Sequence, residues 1–252
     1  MNDFVEKVLT SIGTNVFSIG QAGFIVKSSS GQLLAIDLYL SNCVERIEKS
    51  KGFKRLLPQI LNPNDLHFDA VVCTHPHMDH FDIDAVPEIV AKGTKLYCSI
   101  NCENLVHQLK MEYYDSQITY VRPGDCIIIG DFQISFVNCD HGDAAPDAVG
   151  VVVEVDNKKI YETGDTCLRL DRINEIPKEL DMLIAPINGM YGNMDSKDAI
   201  ELAEALEPSV TVPCHYGMFA SHGGDLKTFF EMAEQKKISI LLMQQGEGYR
   251  LA

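Results

Sequence analysis

What this chain lacks narrows the field before any motif is read. No stretch of its 252 residues approaches the ~20 consecutive apolar residues that a membrane-spanning helix requires. The opening Met1-Asn2-Asp3-Phe4-Val5-Glu6-Lys7 mixes both charge signs and leads into no apolar run, so a secretory leader is not expected. The eight cysteines (43, 73, 98, 102, 126, 139, 167 and 214) contain no Cys-x-x-Cys pair, and a chain this long needs no disulfide staples. Reduced thiols in a cytoplasmic protein are therefore expected. Basic residues are outnumbered, 21 Lys and Arg against 36 Asp and Glu, giving a formal charge of −15. A field of that sign repels phosphate backbones and argues against a nucleic-acid polymer as partner. Repeats, low-complexity tracts and long linkers are also missing, which leaves one folded unit over residues 1–252.

What is present reads as strands alternating with amphipathic helices. Residues 15–19 and 24–27 flank a Gly-Gln-Ala-Gly turn at 20–23, and a second turn at 28–31 leads into 33–37, which predicts an antiparallel meander. A strand-rich block spans 126–161, with turns at Gly130-Asp131 and Asp156-Asn157. Short buried strands are predicted at 69–74, 181–185, 209–213 and 238–243, and helices at 84–92, 101–113, 196–206 and 225–236. Asp195 or Ser196 caps the third of these helices, and Asp198 stands in its first turn. Strand meanders with peripheral helices predict an α/β (α+β) architecture of two sheets packed face to face with helices outside.

The chemistry concentrates at His75-Pro76-His77-Met78-Asp79-His80, directly after the apolar run Ala70-Val71-Val72-Cys73. Residues two apart on extended chain point the same way, so His75 and His77 can grip one ion while Asp79 and His80 face another. An isolated histidine is usually a hydrogen-bonded or surface residue, but four ligand types in six positions have no structural purpose of that kind. Three further ligand-type residues each stand at the end of a strand-like run: His141 after 132–137, Asp165 within Tyr161-Glu162-Thr163-Gly164-Asp165-Thr166, and His215 after 209–212. Taken singly, each reads as an ordinary turn residue.

In order and spacing these residues resemble the ligand motifs of the metallo-β-lactamase superfamily, and Asp37 matches that superfamily's early aspartate. The resemblance implies a four-layer αββα sandwich with two divalent metal ions at one edge. One ion would be held by His75, His77 and His141, and the other by Asp79, His80 and His215. Asp165 would bridge them, and Asp37 would support a ligand histidine from behind. Zinc suits the histidine-rich set, and manganese and iron also accept mixed nitrogen and oxygen donors. A water bridging such ions is acidified, which implies a hydrolase in which a hydroxide attacks an ester-like carbonyl or a phosphorus. Asp79 can orient that hydroxide and take its proton.

A finer resemblance, to the branch containing L-ascorbate-6-phosphate lactonase, rests on Gly20 to Gly31 with Ala35-Ile36-Asp37, on Pro186-Ile187-Asn188-Gly189 with Gly192-Asn193-Met194-Asp195, and on Pro213 to Phe219. It implies opening of a lactone or related ester of a small sugar acid, phosphorylated or not, and makes manganese a candidate. The ions would let a −15 protein hold a small anionic substrate. Tyr191, Asn193, His222 and Arg169 are the candidate substrate contacts. Two other functions share the motif: a phosphodiesterase on small or cyclic nucleotides, and a non-catalytic metal-binding regulator. A homo-oligomer is compatible with all of them, and a membrane partner with none.

Overall fold

The computed structural model describes residues 2–252. Helix α1 (Asp3–Thr10) is capped by the Asn2 side chain and lays Phe4, Val5 and Val8 inward. Strands β1 (Asn15–Gly20), β2 (Gly23–Lys27) and β3 (Leu33–Ile36) form the antiparallel meander expected of them. The chain then runs through α2 (Cys43–Glu48), β4 (Ala70–Cys73), α3 (Ala85–Val90), β5 (Lys95–Ser99), α4 (Glu103–Gln108) and β6 (Ile118–Val121). Strands β3 to β6 pair in parallel. The second half lays down β7 (Cys126–Ile129), β8 (Phe132–Asn138), β9 (Val149–Val155), β10 (Lys158–Glu162) and β11 (Met182–Pro186). It continues through α5 (Ser196–Leu206), β12 (Thr211–Cys214), α6 (Leu226–Lys236) and β13 (Gly248–Arg250).

These strands make a seven-stranded sheet ordered β13-β1-β2-β3-β4-β5-β6 and a six-stranded sheet ordered β12-β11-β10-β9-β8-β7. The near-continuous apolar runs of β2, β3, β4, β9 and β11 are explained by burial on both faces, while β7 and β13 at the sheet edges are partly or wholly exposed. In β3, Leu34 and Ile36 face the other sheet, where they meet residues such as Phe132, Val151 and Ile184, while Leu33 and Ala35 face the helices. Strand β4 alternates in the same way: Val72 lies between the sheets, and Val71 and Cys73 pack toward α1, α3 and α4. On the far side, Leu183 and Ala185 of β11 pack against Ile200 and Ala203 of α5 and Phe229 of α6. Three apolar seams thus bind four layers, helix–sheet–sheet–helix, in the metallo-β-lactamase arrangement. Lys27 fastens β2 to α1 by donating to the carbonyls of Val8, Leu9 and Ser11 near that helix's C-terminal end.

Some expected elements differ. The helix predicted over 101–113 breaks at Lys110, whose φ of 56° is left-handed; a short 3₁₀ turn precedes α4 and another follows at Met111–Gln117. The apolar run 238–243 is no strand: Ile240 makes one bridge to Thr211 and the chain then departs. Helix α1 and strands β5 and β6 were not anticipated. The Asp156-Asn157 turn has φ of 51° and 61°, the two positive values that a tight hairpin matching strand twist requires. No helix among the described residues is long and apolar enough to cross a membrane.

At α5, Asp195 accepts from the amides of Lys197 and Asp198 while Asp198 accepts from the amide of Asp195. Asp195→Ala should lower stability by about 1 kcal/mol, read as a shifted midpoint with unchanged slope in urea unfolding.

Candidate metal centre

Strand direction explains why distant residues meet. Strands β1, β3 and β4 run the same way in the first sheet, as do β8, β10 and β12 in the second, because each antiparallel step is followed by its reverse. Their C-terminal ends open on one edge of the sandwich. Gln21 follows β1, Asp37 follows β3, His75 follows β4, His141 follows β8, Asp165 follows β10 and His215 follows β12. Gln21, Asp37 and His215 have φ of 56°, 48° and 60°, left-handed values that bulky residues rarely adopt. Such strain concentrates at functional sites.

Two groups of donor atoms result: His75, His77, His141 and Asp165 in one, and Asp79, His80 and His215 in the other. Ligand atoms about 2.0–2.1 Å from a common ion lie roughly 3.0–3.4 Å from one another. In the first group His77 Nδ1 is 2.9 Å from His75 Nε2 and 3.1 Å from His141 Nε2. In the second, His80 Nε2 and His215 Nε2 are 3.2 Å apart, and Asp79 Oδ2 is 3.3 Å from His215 Nε2. Asp165 Oδ2 stands between the groups, 3.2 Å from His215, 3.4 Å from His80 and 3.7 Å from His141. Its other oxygen is buried without a hydrogen-bond partner. Nitrogens and carboxylates converging at these spacings, with an orphaned buried oxygen among them, fit a pair of divalent ions.

Behind the donors, Asp37 is fully buried and accepts from the Thr74 amide (2.8 Å) and Thr74 Oγ1 (2.6 Å). Its Oδ2 is also 2.6 Å from His80 Nδ1, which turns Nε2 of that ring toward the centre. Gln21, not foreseen from the sequence, places Nε2 2.8 Å from Asp79 Oδ2 and 3.1 Å from His215 Nε2. Only its place between two glycines at a strand end marked it. Glu162, also not foreseen, is buried at the end of β10; burial and the neighbouring Asp37 push its carboxyl well above the usual range.

The two groups differ electrostatically. Burial lowers His75 and His77, and it lowers His141 to about 4 despite Asp165, so these rings are neutral donors at pH 7. Burial also opposes charge on His80 and His215, but Asp165 and the other nearby carboxylates outweigh it, raising His80 well above 6.5 and His215 to about 9. Those histidines in turn hold Asp79 and Asp165 below the carboxylate range, against the effect of burial.

A cavity of about 420 Å³ opens over the donors, and Tyr191 and His222 line it. Arg169 and Asn193 are not brought to it. Sequence proximity to Asp165 made Arg169 a candidate, but its guanidinium is engaged by Asp140 and by both oxygens of Asp171. Asn193 is buried and builds the turn instead, donating to Asn188 Oδ1 and to the Met190 carbonyl. All eight cysteines are free, and none belongs to either donor group.

Comparisons with known proteins show the family and the fold. The sequence profile described as a beta-lactamase superfamily domain matches residues 39–216, a span that holds both donor groups. A UPF0173 metal-dependent hydrolase of Christiangramia forsetii is 30% identical over 202 residues, covering 75% of this chain and 83% of its own. Another, from Pyrococcus abyssi, is 24% identical over 242 residues and covers 92% and 97%. The structure of Igni18, a novel metallo hydrolase from the hyperthermophilic archaeon Ignicoccus hospitalis, superposes with a TM-score of 0.70 at 24% identity, over 94% of this chain and 97% of that one.

Three expectations follow. A histidine whose folded pKa exceeds its unfolded 6.5 stabilises the fold below that pH and ceases to do so as pH rises through the folded value, about 9 for His215. Metal-stripped protein should therefore lose stability between pH 6.5 and 9. At pH 8, zinc or manganese at ~100 times its Kd should raise the melting temperature by roughly 5–10 °C, measured by calorimetry. Asp37→Asn should weaken metal affinity roughly 10–100-fold in chelator competition, because His80 loses its fixed orientation.

Proposed function

The chain belongs to the UPF0173 metal-dependent hydrolases of the metallo-β-lactamase superfamily, and from that premise we propose that it opens a lactone or related carboxylic ester at a binuclear centre. His75, His77 and His141 would hold one ion and Asp79, His80 and His215 the other, with Asp165 shared. Zinc and manganese both suit this donor set, and iron is accepted by it as well. The observation that carries the reading is the position of Asp165 Oδ2, within 3.2–3.7 Å of imidazole nitrogens from both groups. Bound divalent ions supply an acidified water and polarise an ester carbonyl.

The protein's own groups supply the rest. Asp79 lines the cavity as a carboxylate, oriented by Gln21 Nε2, and is positioned to take the proton of the attacking water. His222 lines the same cavity with its ring centroid 5.1 Å from that of His215; burial lowers its pKa to about 4, so at pH 7 the neutral ring can donate a hydrogen bond to the departing oxygen. Donors held in this way need no reorganisation as charge develops.

The lining favours a carboxylic ester over a phosphate ester. Among the described residues the only Lys or Arg lining the cavity is Lys51, whose Nζ is 2.8 Å from Glu48 Oε2. Arg169, the residue that would have met a sugar phosphate, is held elsewhere by Asp140 and Asp171. The sugar-acid part of the expectation therefore draws support from the sequence resemblance alone.

In a pH-stat assay, metal-loaded protein should hydrolyse γ- and δ-lactones or activated carboxylic esters. Chelation should abolish turnover and added metal restore it. Asp79→Asn should lower kcat/KM roughly 10²–10⁴-fold. Turnover of bis(p-nitrophenyl) phosphate with none of any lactone or ester would reverse the assignment in favour of a phosphodiesterase.

A further inference from the structure

Two segments far apart in sequence build one wall of the cavity. Leu56 donates its amide to the Met218 carbonyl (2.8 Å) and Ala220 to that of Lys54 (3.0 Å), an antiparallel bridge centred on Arg55 and Phe219. Arg55 anchors this flap: its guanidinium lies 4.8 Å over the Tyr39 ring and donates to the carbonyls of Ser41 and Leu57, while its amide donates to Glu45. The flap is thus built from fixed contacts, and it carries Phe53 and Phe219 to the cavity's face.

Those rings meet His222 and Tyr191 in a continuous aromatic cluster. Phe53 packs edge-on against Phe219 (centroids 5.6 Å apart, 85°) and against His222 (5.0 Å, 87°), and it lies 6.0 Å from Tyr191. His222 links the cluster to His215. Val44 and Met78 extend the apolar lining on the same cavity. Polar side chains beyond the donor groups are few. Lys51 and Glu48 neutralise each other, and Arg169 and Asn193 are engaged elsewhere.

A polyhydroxylated substrate would lose water here and find few partners in exchange, whereas an aryl or branched alkyl group would leave water for a ready-made apolar wall. Resting on the ester-hydrolase reading above, we propose that the substrate is a small neutral ester or lactone whose body is aromatic or branched aliphatic. Phe53 and Tyr191, with Phe219 behind them, would be the residues that select it.

The test separates recognition from reaction. Binding of phenylacetohydroxamate and of gluconohydroxamate, two metal-seeking probes with apolar and hydroxylated bodies, would be measured by calorimetry on metal-loaded full-length protein. The aryl probe should bind roughly 10- to 100-fold more tightly. Phe53→Ala and, independently, Tyr191→Ala should shrink that ratio severalfold, weakening the aryl probe far more than acetohydroxamate. Tyr191 is 57% exposed, so its replacement leaves the core intact. Equal binding of the two probes, preference for the hydroxylated one, or a ratio untouched by both variants would overturn the proposal. An aryl preference that disappears in the variants, in a protein that hydrolyses no lactone or ester, would support the apolar site and reject the reaction assigned to it.

Discussion

Histidine nitrogens and carboxylate oxygens gathered to within 3–4 Å of one another, out of water, are stable together only if cations face them. That constraint governs the open edge of the sandwich. Asp37, Asp79 and Asp165 are largely buried; besides histidine, Asp37 has Thr74 and Asp79 has Gln21 as donors, while Asp165 keeps one oxygen without any partner. Protons on His80 and His215 can answer part of this charge, but the neutral set of His75, His77 and His141 has no comparable means. Two divalent ions would answer both sets at once. The left-handed backbone at Gln21, Asp37 and His215 belongs to the same problem, because each must fold its side chain back into the site immediately after a strand ends.

Much of this was legible in the sequence, for a physical reason. A strand buried on both faces leaves an unbroken apolar run, so the polar residue that ends it stands out. His75 after Ala70–Cys73 and His215 after Thr211–Cys214 are of this kind, whereas Asp165 follows the mixed run Lys158–Glu162 and stands out only by the turn that holds it. Gln21 obeys the same rule but is not a ligand type, and so went unnoticed. The residues 238–243 show where the rule misleads: their apolarity comes from lying beside β12, and one bridge at Ile240 is the whole of their pairing. The break at Lys110 stands next to the buried Met111, a core position that helical periodicity does not distinguish.

The cavity lining was the least legible part. Phe53 and Phe219 sit in loops, and Lys51 ends a short 3₁₀ turn at Lys49–Lys51; their neighbours are set by tertiary contacts, above all the bridge between 54–56 and 218–220. Arg169 illustrates the converse, a charge close in sequence to the centre yet already satisfied by Asp140 and Asp171. The fold and the donor set thus describe the kind of reaction, while the loops that vary most freely decide what is admitted to it. An overall charge of −15 bears on neither, since the local field over the donors would be set by the ions.

The central claim is that Asp165 joins two ion sites in one centre. Metal analysis of protein purified without chelators, coupled with anomalous diffraction from its crystals, addresses it most directly. The account predicts close to two ions per chain, one beside each donor group and both in contact with Asp165. A single ion, or two ions of which only one touches Asp165, would contradict it.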